Sequence, residues 1–165
     1  MITSRRNLLK LFGAGTVALT GATALPLRAD EVLTGNVRAH VIDMVEQASD
    51  AVATFGFPRA LNRTDWTLWR RPDLGLYVFV LNTDGKLLLH PDRRGEGQNV
   101  IGSHDALGTP FIRNMINAAV AANGNGVWTR YQWADARNGE PGTKHTYSKI
   151  VGGVVLSVGY IAAIS

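Results

Sequence analysis

The sequence predicts an α+β fold: an antiparallel sheet of about five strands beside a long N-terminal helix. Three observations predict it. From Asp30 to Phe55 the residues Leu33, Val37, Val41, Met44, Val45, Ala48, Val52 and Phe55 recur mostly at spacings of three and four, which marks one face of an amphipathic helix. The β-branched and aromatic run "GLYVFVLN", Gly75 to Asn82, meets the strand "KLLLH", Lys86 to His90, through the hairpin signal "NTDG". Three more strand-like runs close the chain, and antiparallel hairpins beside segregated helices belong to the α+β class.

The first 29 residues read as an export signal. "SRRNLLK", Ser4 to Lys10, carries paired arginines, and a mildly apolar run of about 15 residues follows from Leu11 to Leu25. That run is shorter than the roughly 20 residues that span a bilayer. It ends at "PLRAD", where Ala29 supplies a small residue for cleavage. A charged start, a short apolar middle and a small residue at the cut describe a secretory signal. The paired arginines indicate the twin-arginine type. The expected division is a signal over 1–29 and one domain over 30–165, with a mature, periplasmic protein starting near Asp30.

After the long helix, Gly56 and Pro58 in "GFPRALN" stop it, and Pro58 to Asn62 can form a short helical turn. Beyond the hairpin, Pro91 to Gly108 is rich in Gly, Asp and Asn without periodicity and reads as a long loop. Loops above about 12–15 residues are often lids or binding loops. Thr109 is an N-cap candidate with Pro110 at the first helical position. Phe111, Ile112, Met115, Ile116, Ala119 and Val120 form the buried stripe of that second helix, which Asn123 and Gly124 end. The final strands run from Gly126 to Trp133, Lys144 to Val151 and Val154 to about Ile161. The chain contains no internal repeat.

The isoelectric point near 9.8 suggests a nucleic-acid binder until the charge is located. Of the 17 basic residues four lie in the first 29, so from Asp30 onward basic and acidic residues balance at 13 each. A nucleic-acid surface needs a concentrated basic face, and the balance removes that reading. The absence of cysteine excludes disulfides, thiolate metal sites and a cysteine nucleophile. His40, His90, His104 and His145 are scattered without metal-binding spacing. Ser103, His104 and Asp105 are adjacent on a loop and cannot form a catalytic relay. "RRGEGQNVIG", Arg93 to Gly102, opens no helix and is no phosphate cradle. Nothing in the sequence calls for a cofactor.

The stretch "VWTRYQW", Val127 to Trp133, is more informative. As a strand it places Val127, Thr129, Tyr131 and Trp133 on one face and Trp128, Arg130 and Gln132 on the other. Two readings suit the first face. Tyr131 and Trp133 can be core, or they can wall a pocket with their polar tips finding partners. Lys144 lies across the next hairpin, where it is either solvated or the charge in that pocket. An ammonium beside phenol and indole donors suits a small carboxylate, which the rings shield from water. His90, at a strand end before proline, either bonds the backbone or donates to a ligand.

Taken together, "YVFVLNTDGKLLLHP", "GQNVIGSHDALGTPFIRNMINAA", "GVWTRYQW", "KHTYSKIVGG" and "VGYI" resemble, in order and spacing, the single Cache domains. These are PAS-like extracellular sensor modules of bacterial receptors. The resemblance implies a PAS-like sheet on a long N-terminal helix, with a pocket for small organic acids between the sheet and the loop before the second helix. Carried over by position, the lining is Tyr77, Phe79, His90, Tyr131, Trp133, Lys144 and Tyr147. Trp128 also matches a family aromatic, but strand alternation makes it structural. Lys144 and Tyr147 have opposite parity, so both can face one pocket only with a bulge or at a strand end.

Family members usually sit between membrane spans and feed an output domain, and the sequence shows neither. The expectation is therefore a stand-alone exported form that is not an enzyme. It binds a small organic acid and presents its bound form to a membrane receptor or exported partner protein, with the long helix available for a homodimer. The alternative is an accessory protein whose aromatics are core. A third, weaker reading is an enzyme acting on a small acid through His90.

Overall fold

Helix α1, Ala29–Phe55, turns its Val41, Met44, Val45, Ala48, Ala51 and Val52 inward, the face drawn by their spacing. The computed structural model describes residues 29–134 and 141–162. The expected export signal lies, apart from Ala29, outside them, as does most of the connection expected after Trp133. Gly56 ends α1 in the left-handed region at φ 73° and returns its N–H to Val52 O at 2.8 Å, the usual glycine closure. A five-residue helix α2, Arg59–Arg63, follows.

Residues 64–74 hold structure that periodicity does not announce. A 3-10 turn at Trp66–Leu68 is capped by Asp65, whose carboxylate accepts the Thr67 N–H at 2.8 Å. A two-residue strand β1, Arg70–Arg71, and a second 3-10 turn at Pro72–Leu74 complete the segment. Its anchor is Trp69, wholly buried with its indole N–H donating to Thr64 Oγ1 at 2.8 Å. That bond meets the demand of a buried indole for a partner.

Strands β2, Leu76–Asn82, and β3, Leu87–Leu89, form the expected hairpin. The turn is fixed by Gly85 at φ 88° and by Asn82 Oδ1, which accepts the Lys86 N–H at 2.7 Å. The long loop is partly tied down, because Val100 N–H reaches Gly85 O and Leu87 N–H reaches Gln98 O. Helix α3, Phe111–Ala121, begins one residue later than the Thr109 cap predicts, with Pro110 at the cap position. The Thr109 N–H donates to Asp105 Oδ1 at 2.8 Å, which ties the residue to the preceding loop. Strands β4, Val127–Ala134, β5, Pro141–Val151, and β6, Val154–Ala162, complete the sheet.

The sheet has six antiparallel strands in the order β1-β2-β6-β5-β4, with β3 on β2. The extra strand over the five expected is the short β1. Alternation divides the side chains between two layers. Leu76, Val78 and Val80 of β2 and Leu156 and Val158 of β6 pack with α1 and Trp69. Phe79, Leu81, Tyr131 and Val155 pack with Phe111, Ile112, Met115, Ile116 and Ala119 of α3. The two-layer burial fixes the register, since a slip of one residue would exchange the faces.

Candidate functional site

On the α3 side, β5 buries polar residues: Lys144, Thr146 and Ser148 alternate inward. Ser148 Oγ lies 2.8 Å from Ser157 Oγ, and Ser157 donates to Met115 Sδ at 3.4 Å. Thr146 donates to the Tyr131 hydroxyl at 3.3 Å. The stripe ends at Lys144, 6% exposed, whose ammonium donates to the Tyr77 hydroxyl at 3.3 Å. An ammonium has three donors, and no carboxylate among the described residues pairs with this one.

Aromatic rings supply the rest of its surroundings. Lys144 Nζ lies 5.3 Å from the Tyr77 ring centre, 5.7 Å from Phe79 and 5.0 Å from Trp133. These separations fall within the reach of cation–π attraction, about 6 Å. Phe111 of α3 stacks on Tyr131 at 4.4 Å and meets Trp133 edge-on at 5.7 Å. The rings bound a cavity of about 160 Å³, also lined by Leu87, His90, Val100, Ser103 and Ile112. That is well below the roughly 300–1,000 Å³ of sites for drug-sized ligands.

Burial shifts two titrating groups at the cavity toward their neutral forms. Burial pushes the Tyr131 phenol up, against the lowering effect of Lys144, so it remains a donor. Burial likewise pushes His90 below its ordinary value, and Lys144 adds to that, while Asp92 and Glu96 oppose it. His90 Nδ1 lies 3.1 Å from the Asp92 N and 3.2 Å from Asp92 O, so it bonds the backbone of Asp92 in either tautomer.

The loop over the cavity is held by Asp105. Its Oδ2 accepts the Gln132 N–H of β4 at 3.0 Å, and its Oδ1 accepts those of Leu107 and Thr109. The Gln132 bond leads the causes that hold its carboxyl below the usual range. Ser103 and Asp105, dismissed as a catalytic relay, are a lining residue and a loop clamp.

The structure brings Tyr77, Phe79, His90, Tyr131, Trp133 and Lys144 together. It does not bring Tyr147, and the expected lining is corrected there. β5 runs without the bulge that would let Tyr147 share a face with Lys144, so Tyr147 points to α1 and donates to Glu46 Oε1 at 3.2 Å. It packs on Trp128 at 5.2 Å, and Arg38 lies over that indole at 4.2 Å. Sequence reasoning missed Phe111, Leu87, Val100 and Ile112 as lining. Phe111 was assigned to the helix core, and its place as the first α3 residue beside the loop is the signal that it also faces the cavity. Among the described residues no cluster of His, Asp or Glu forms a metal site.

A family model described as a Cache domain matches residues 71–164, more than half of the chain. The chain belongs to the Cache domain family. Solved Cache-like structures share the architecture of this Cache domain. A periplasmic sensor domain of a chemotaxis protein is 21% identical, with a TM-score of 0.60 over 82% of this chain and 99% of that one. A Cache chemosensory domain described for carboxylic acid recognition is 18% identical, with a TM-score of 0.60 over 81% and 98%. A methyl-accepting chemotaxis protein of Vibrio parahaemolyticus is 17% identical, with a TM-score of 0.58 over 81% and 94%. At these identities the likeness carries the fold alone. No curated protein matches the sequence. Cache domains are ligand-sensing modules, so the family-level role is small-molecule sensing. No described helix is long and apolar enough to cross a membrane.

Proposed function

We propose that this Cache domain binds a short organic acid in the periplasm through Lys144. The observation behind it is a buried ammonium that donates to the Tyr77 hydroxyl beside the Tyr131 phenol, with no carboxylate partner among the described residues, standing in an aromatic cavity. A buried charge without a counter-ion is costly, and a ligand carboxylate removes that cost. The Tyr131 phenol adds a neutral donor and the His90 ring a polar edge, while Phe79, Phe111 and Trp133 exclude water. The structurally similar domain described for carboxylic acid recognition supports the same ligand class.

The protein reaches the periplasm by the signal over 1–29, is cut near Ala29, and presents its liganded form to a membrane receptor or exported partner. N-terminal sequencing of native protein should start near Asp30, and an intact start refutes cleavage. The binding test is a thermal-shift and calorimetric screen of acetate, propionate, lactate, pyruvate and succinate. A ligand at about 100 times its Kd stabilises by about 2.7 kcal/mol. Lys144→Ala abolishes the effect, whereas no stabilisation by any acid refutes the proposal.

A further inference from the structure

We infer, building on the carboxylate reading of Lys144, that the site has two compartments and takes amphiphilic monocarboxylates: the carboxylate on Lys144, the apolar body in a second cavity. The second cavity measures about 380 Å³ and shares Tyr77, Trp133 and Lys144 with the first. Its other walls include Val37, Leu74, Leu76 and Ile161. Lys144 is the one charged residue among its described lining. A larger, mostly apolar-walled space with a single cation where it meets the first cavity matches a molecule with one anionic head and an apolar tail.

The cavity has a structural origin in the sheet. The β2–β6 ladder stops at Val78↔Val158, while the β5–β6 ladder continues to Thr143↔Ala162. Leu76 and Tyr77 therefore separate from Gly159, Tyr160 and Ile161, and the second compartment occupies the split. Gly159 keeps the junction open, because a Cβ there would lie 2.9 Å from Lys144 Cε. The split reaches α1 at Val37, so an extended ligand touches both the sheet and the long helix.

If the split were only an entrance, the acid would end at the inner cavity and chain length beyond it would not help. If the split holds the tail, each buried methylene adds affinity, about four-fold for the roughly 0.8 kcal/mol of a CH₂ leaving water. The test is calorimetry on the mature protein with acetate, butanoate, hexanoate and octanoate, with octanol as the uncharged control. Affinity should rise about four-fold per methylene along the longer acids, and octanol should bind at least 100-fold more weakly than octanoate. Val37→Trp, which fills the split, and Leu74→Asp, which charges its mouth, should each remove the length gain and leave acetate within about two-fold. Melting curves confirm that each variant is folded, and the two act from different elements, so one suffices.

Affinity that is flat or falls with length overturns the two-compartment inference and leaves the Lys144 reading standing. A length gain that survives both variants places the tail elsewhere and also overturns it. Failure of every acid to bind overturns both readings.

Discussion

Lys144 and Tyr131 stand opposite each other across the β4–β5 ladder, and both side chains are buried on the α3 side. The pair puts a cation and a neutral phenol donor at one wall, with Phe111 stacked behind the phenol at 4.4 Å. Burying an ammonium among rings recovers part of its lost hydration through cation–π attraction and the Tyr77 hydroxyl. Whatever these contacts leave unrecovered is the cost the unliganded domain would bear to hold the site ready for an anion.

Replacing the cation by an isosteric apolar chain should expose that cost. Lys144→Met should stabilise the unliganded protein by about 1–4 kcal/mol, the range for buried ion pairs that give way to packed apolar groups. The same variant should lose all stabilisation by carboxylates. Chemical denaturation with and without acid measures both. A variant less stable than the parent would show that Lys144 holds the fold instead.

Stability should fall on mild acidification, and two histidines should account for it. Burial lowers His90, helped by Lys144, and lowers His145, helped by Arg38 and Arg130. Both folded values lie below the ordinary 6.5, so the unfolded chain takes up the protons first. Their contribution is complete above about pH 6.5 and is lost as pH drops through the folded values. Denaturation midpoints between pH 7.5 and about pH 5 should decline in the parent and flatten in His90→Gln/His145→Gln. An unchanged slope in the double variant would assign the decline to carboxylates.

Strand alternation made much of the site legible. Period two alone put Tyr131 and Trp133 on one face of β4 and Trp128 on the other, and the same parity flagged the conflict between Lys144 and Tyr147. What resolved that conflict was the unbroken β5–β6 register, a long-range property that residue parity cannot supply. Trp69 was illegible for a different reason. It lies in short 3-10 turns with no repeating face, and its burial depends on α1 and β2, distant in sequence. The Asp105 clamp was hidden too, because it binds backbone amides, which carry no residue-type signal.

The Asp105 clamp should set how readily the loop opens. Asp105→Ala removes the acceptor shared by Leu107, Thr109 and Gln132 N–H groups. Hydrogen exchange at these three amides should rise well above the parent, and acids should dissociate faster. Acid should mimic the substitution, because a carboxyl held below its usual range keeps its clamp above that range and loses it as pH falls through the folded value. Unchanged exchange at Gln132 in the variant would show that β4 and the loop are held by other contacts.

Gly159 tests whether Lys144 is positioned by close packing. An added Cβ would lie 2.6 Å from Thr146 Oγ1, 2.9 Å from Lys144 Cε and 3.1 Å from His145 O. The lysine stem can bend away, but Thr146 is β-branched, wholly buried and bonded to the Tyr131 hydroxyl, and the carbonyl is backbone. Alanine gains about 0.5–1 kcal/mol over glycine in a strand from chain entropy, and overpacking costs about 1–3 kcal/mol. Overpacking therefore wins, and Gly159→Ala should be about 1–2 kcal/mol less stable than the parent. Because the displaced groups are Lys144 and the partner of Tyr131, its carboxylate affinity should fall by about ten-fold or more, the factor for about 1.4 kcal/mol. Parent-like affinity in a folded Gly159→Ala protein would mean that Lys144 finds its place without the glycine.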